Sequence, residues 1–173
     1  VILQGLLGGA RVRFDQLNIM SDHNLVAQSF AVVHACGAMV VLGILVTLTL
    51  ASTRRWIEAS AGLNVQQPTG VKRWGIIATV SIFLQILVGA IMRHADAGLA
   101  LVKFPMSTAT NWLPTYWNFN VSVHFAHRIG AILVTVILLV FLCKLWGSPT
   151  AKRALGYGAL FLAVILGLQI SLG

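Results

Sequence analysis

The chain has 173 residues, of which 58% are hydrophobic and only 9% charged, with a formal net charge of +8. A soluble domain carries about 25% charged residues, so this set is too sparse to cover a water-facing surface, and the mean hydropathy is +0.88. These values exclude an ordinary soluble domain and point to an all-α, polytopic membrane helix bundle, because a bilayer removes the need for a charged exterior.

The first element, Val1 to Ala10, reads as the tail of a helix. Four longer apolar stretches follow: Leu25 to Ala51, Trp74 to Met92, Val121 to Trp146, and Ala154 to the end. Each comes close to the roughly 20 apolar residues a helix needs to cross hydrocarbon. Helix is preferred over strand, because backbone groups in lipid must be satisfied within the segment and these runs are too long for barrel strands. The chain starts at Val1 and stops at Gly173, both inside apolar runs, without an initiator Met or a signal peptide. The expectation is an internal segment with at least one further helix on each side. Cys36 and Cys143 lie in apolar runs outside any CxxC pattern and read as small core residues.

The connections differ in charge. Arg54, Arg55, Lys72 and Arg73 stand against Glu58 between the first two long stretches, and Lys144, Lys152 and Arg153 mark the last connection. The alternate side mixes Arg11, Arg13, Arg93 and Lys103 with Asp15, Asp22 and Asp96. The positive-inside rule places the first group on the cytoplasmic face and the long Arg93–Asn120 loop on the outer face. Basic residues at helix ends explain the net charge, and nucleic acid is excluded as a partner. The loop aromatics Trp112, Tyr116, Trp117 and Phe119 suit a membrane interface, with or without a site beneath them.

A short pattern recurs. Leu3-Gln4-x-x-Leu7-Gly8 returns as Leu84-Gln85-x-x-Val88-Gly89 and as Leu168-Gln169-x-x-Leu172-Gly173, each on a stretch of the same polarity. A glutamine at that depth is costly unless paired, and a glycine four residues on permits close helix contact.

The five histidines are His23, His34, His94, His124 and His127. His34 lies about two turns into its stretch beside Ala35, Cys36, Gly37 and Ala38, small neighbours that let a flat macrocycle approach. His124 and His127, at i and i+3, share a helix face, and Arg128 follows. Imidazole is a standard axial ligand of haem iron, and a neighbouring Arg can meet a propionate. No third ligand at zinc spacing accompanies these histidines, no carboxylate lies in a span, and neither a Ser–His–acid set nor a phosphate loop occurs. The residues alone leave alternatives open: His34 is a packing residue paired across helices or an iron ligand, and His127 touches headgroups or iron. His124 takes a supporting or interfacial place in the cofactor-binding set. His23 reads as solvated, and His94 complements a helix C-terminus.

The blocks Gly89-Ala90-Ile91-Met92-Arg93-His94…Ala97-Gly98-Leu99-Ala100, with Phe104-Pro105, and His124-Phe125-Ala126-His127-Arg128-Ile129-Gly130-Ala131 resemble the haem A synthases. Gln4 to Val12, Ala31 to Gly37 and Thr53 to Trp56 extend the resemblance over nearly the whole chain, in family order. It implies eight helices in two pseudo-symmetric four-helix halves. Residues 1–51 would hold the end of helix 3 and helix 4, 52–73 a cytoplasmic linker, and 74–173 helices 5, 6 and most of 7. The implied activity is oxidation of the C8 methyl of haem O to the formyl of haem A during cytochrome oxidase biogenesis, in a bacterial inner membrane, with a separate electron donor and a haem O synthase as partners. His34 would ligate iron in the substrate half and His127 that of a haem b in the second half, with Arg128 and Arg93 near propionates. Their partner histidines and the family's catalytic acid would lie outside this chain, so no catalytic residue is assigned within it and the segment by itself is expected to be inactive. The position that repeats the acid here is His124. Some members carry a cysteine pair in an outer loop, whereas residues 93–120 contain no Cys. The rivals are a membrane cytochrome that carries electrons without altering haem and a transporter built on the repeat.

Overall fold

The computed structural model describes residues 2–54, 57, 68–103, 106–108 and 111–172, apart from 18–24, with backbone only at 15–17. The elements are α1 (Ile2–Leu17), α2 (Leu25–Ala51), α3 (Thr69–His94), a short 3-10 turn (Ala97–Leu99), α4 (Phe119–Trp146) and α5 (Pro149–Leu172). No strand occurs among the described residues. Helices α2 to α5 are each long and apolar enough to cross a membrane, and the chain is an integral membrane protein.

The sequence marks the helix starts. Asn118 Oδ1 accepts from the Val121 N–H at 2.9 Å, capping α4. Ser148 Oγ accepts from the Ala151 N–H at 3.3 Å, and Pro149 takes the first helical position of α5, where its missing N–H costs nothing. At α3 the Pro68 carbonyl accepts from the Val71 N–H at 2.9 Å, so the helix begins at Thr69, ahead of the expected Trp74. Thr69, Gly70, Lys72 and Arg73 are too polar for hydrocarbon, yet they continue the same helix beyond it. The first helix likewise outruns its expected end at Ala10 and reaches Leu17. Along this extension Phe14 stacks on Phe30 of α2 with ring centroids 5.1 Å apart, and α1 packs along α2.

The chain divides into two compact units, Val1–Asn64 with Ile86–His127, and Val65–Gln85 with Arg128–Gly173. In the first, the buried side chains include Ala27, Ala31 and Cys36 on α2, Ala97 and Leu101 after α3, and Val121 and His124 on α4. The second has a core of Val71, Leu142, Leu145, Ala151 and Ala159, flanked by Phe141, Leu162 and Ala163. Large apolar residues such as Leu42, Leu48, Ile132, Leu139 and Phe161 are exposed, as expected where lipid is the solvent. Cys36 is buried, whereas Cys143 faces outward on α4 and is no core residue.

Candidate haem-binding site

Each histidine proposed as an iron ligand sits on a long helix opposite a glycine of another helix. A Cβ added at Gly8 of α1 would lie 3.1 Å from Cε1 of His34, on α2. A Cβ added at Gly89 of α3 would lie 3.0 Å from Cε1 of His127, on α4. Both rings are half-buried and occupy room that only glycine leaves open. The Gln-x-x-x-Gly repeat therefore has a structural meaning: in each of its first two copies the glycine receives an imidazole.

The glutamines of the repeat are received in turn. A Cβ at Gly37 would collide with the Gln4 amide, and one at Gly130 would collide with the amide of Gln85. With its amide turned so that donors meet acceptors, the Gln4 nitrogen donates to His34 Nδ1 at 3.0 Å and to the His34 carbonyl at 3.1 Å. Its oxygen accepts from the Ala38 N–H at 3.2 Å. These bonds remove the cost of a half-buried amide in an apolar span. The pairing rule is thus Gln-x-x-x-Gly against His-x-x-Gly, with His34 three residues before Gly37 and His127 three before Gly130. The first pattern is legible in the sequence as a repeat, whereas the part played by Gln4, Gln85, Gly37 and Gly130 is visible only in the structure. The matched spacing around the two histidines was the available signal. The third copy ends at Gly173, outside the described residues.

His124 is placed differently from His127, although they share a helix. It is buried, 8% exposed, and its Nδ1 faces the turn after α3, 3.0 Å from the Ala97 carbonyl and 3.3 Å from the Leu101 nitrogen. In one tautomer Nδ1 donates to Ala97, and in the other it accepts from Leu101. Either one ties down the turn, which follows Asp96 in the left-handed region (φ 51), a conformation Asp tolerates better than most residues. Ala97 is completely buried beneath it. The Ala97-Gly98-Leu99-Ala100 block is thus a helix stop docked on α4. Nearby, Trp117 meets Phe125 edge to face at 5.3 Å, and Ser107 Oγ donates to the Trp112 carbonyl at 2.8 Å. The α3–α4 connector is therefore built as well as aromatic.

Arg128 follows His127 on α4 and is half-buried, and Arg93 and His94 form the last turn of α3. His23, Phe104 and Pro105 lie outside the described residues. A haem, the group implied by the resemblance, needs an imidazole anchored at one nitrogen and small residues that let the macrocycle approach. His34 meets the first condition through Gln4, and Gly8 and Gly89 give the His34 and His127 rings their close seats.

The whole chain, residues 1–173, matches the COX15-CtaA family, described as cytochrome oxidase assembly protein. The heme A synthase of Bacillus pumilus is 27% identical over 169 residues, covering 98% of this chain and 52% of its own length. That of Shouchella clausii is 31% identical over 159 residues, 89% of this chain and 46% of the relative. That of Staphylococcus aureus is 29% identical over 175 residues, 96% and 51% respectively. The chain thus spans about half the length of these curated relatives. No solved structure matches it.

Proposed function

This chain belongs to the COX15-CtaA family of cytochrome oxidase assembly proteins, and on that premise we propose that it carries the middle of a haem A synthase, an oxidoreductase of the bacterial inner membrane. Its substrate is haem O, whose C8 methyl becomes the formyl of haem A, with electrons from a separate donor. The observation that carries the reading is the repeated cradle: His34 against Gly8 and His127 against Gly89. Two equivalent histidine sites suit a protein that holds a substrate haem in one half and a resident haem b in the other.

In this reading His34 and His127 hold iron, and Arg128 meets a propionate. His124 has a supporting place in this site, its Nδ1 serving the Ala97–Leu101 turn. Bound haem supplies the redox-active iron. The chain's own residues fix ring orientation, exclude water with their apolar flanks and seat the outer connector, which is assigned to the outer face.

The test is extraction and chromatography of haems from cells expressing the full-length protein with a haem O synthase. Haem A or its hydroxylated precursor is expected. Haem O and haem B alone, with haem B bound to the purified protein, would replace the enzyme by an electron carrier. A purified protein with no haem would overturn both.

A further inference from the structure

The contact between Gln4 and His34 carries more than packing. With its amide turned so that donors meet acceptors, Gln4 hydrogen-bonds the His34 ring. It reaches Nδ1 from a notch that Gly37 leaves open, while also bonding both ends of the adjacent helical turn, the His34 carbonyl and the Ala38 N–H. An amide presents a donor at one end and an acceptor at the other, so its orientation and the tautomer of a neutral imidazole are coupled.

We propose that Gln4 is a positioning residue whose amide decides which nitrogen of His34 carries the ring proton. This rests on the reading of His34 as an iron ligand. In the orientation described, the amide N–H donates to Nδ1, so the ring proton stands on Nε2 and that nitrogen has no lone pair for a metal. When the amide turns over, its oxygen faces Nδ1 at the same place. The ring proton then belongs on Nδ1, donating to Gln4, and the Nε2 lone pair is open to iron. The proton count does not change, since one proton moves from Nε2 to Nδ1 on a neutral ring. The first orientation has two further bonds, to the His34 carbonyl and the Ala38 N–H, which the second gives up. His34 is thus held as a ligand that engages only when iron binding outweighs those bonds. That property suits a site that must take up one haem and release another.

Two measurements on the full-length protein test this. In haem-free protein labelled with 15N-histidine, the His34 signals, assigned by their loss in His34→Ala, are expected to show an unprotonated Nδ1. A protonated Nδ1 there would overturn the proposal. In haem-loaded protein, the haem that disappears in His34→Ala is titrated for its reduction potential. Gln4→Glu, nearly isosteric but a stronger acceptor, should give its ligand more imidazolate character and shift the potential down. Gln4→Met, of similar length without the amide, should shift it up. Equal potentials in all three forms would leave Gln4 a packing residue while His34 remained a ligand. If His34→Ala removes no haem, the ligand reading itself fails and this proposal falls with it.

Discussion

Three residues before His34, α2 buries the methyl of Ala31; three residues before His127, α4 buries the imidazole of His124. The two positions have the same helical register relative to the histidine and comparable burial, 3% and 8% exposed, but they serve different ends. An alanine there asks for nothing but space. An imidazole there supplies a partner to a non-helical stretch, whose backbone groups have no ladder of their own and must be paired where water is scarce. The comparison separates what the two histidine sites share from what each adds. The cradle of glycine, histidine and glutamine is common to both, while the residue one turn before the histidine is free to follow local needs.

The strongest way to break this equivalence is to remove the two rings separately. In the full-length protein, His127→Ala should abolish the stably bound haem b spectrum, whereas His34→Ala should leave that spectrum and abolish haem A formation. A haem b spectrum that survives His127→Ala, or product that survives His34→Ala, would reduce that histidine to packing. Next come the cradles. Gly89→Leu and Gly8→Leu drive side-chain atoms into His127 and His34, at an overpacking cost of about 1–3 kcal/mol each. Each should reproduce the loss seen for the histidine it faces, read by haem content and product. If both variants behave like the unsubstituted protein, the close approach has no role.

A smaller effect should distinguish His124 from His127. His124→Ala leaves buried backbone groups of the Ala97–Leu101 turn without that partner, costing about 1–3 kcal/mol. It should lower the thermal midpoint in detergent and leave the position of the haem b bands unchanged. A band shift with unchanged stability would make His124 part of the iron site. The smallest effect expected is from Asn118→Ala, which removes the α4 cap and should cost about 1 kcal/mol, measured by the same melt with haem content intact.

Much of the fold was legible because the bilayer imposes a simple rule. The runs Leu25–Ala51 and Val121–Trp146 stand out by length and apolarity, and their ends carry Asn118, Lys144 or polar loops. The residues that extend α1 to Leu17 and α3 back to Thr69 were hidden, since hydropathy registers the hydrocarbon zone and not the helix that continues through the interface. Cys143 was misplaced for a related reason. A helix apolar on all sides shows no polar face from which to read which residues turn inward.

The site divides the same way. His34 and His127 could be picked out from sequence because ionisable groups in spans are rare and costly, and the glutamine repeat announced itself by its spacing. That each glycine of that repeat receives an imidazole, that Gln4 lies in the notch of Gly37, and that His124 turns to the connector while His127 turns to Gly89 were decided only in three dimensions. The sequence by itself determined a membrane helix bundle with two spanning histidines, because the energetic cost of polar groups in lipid is local to each segment. Only the tertiary structure decided their partners, because a partner on another helix depends on how two surfaces approach, and no property of either segment alone encodes that approach.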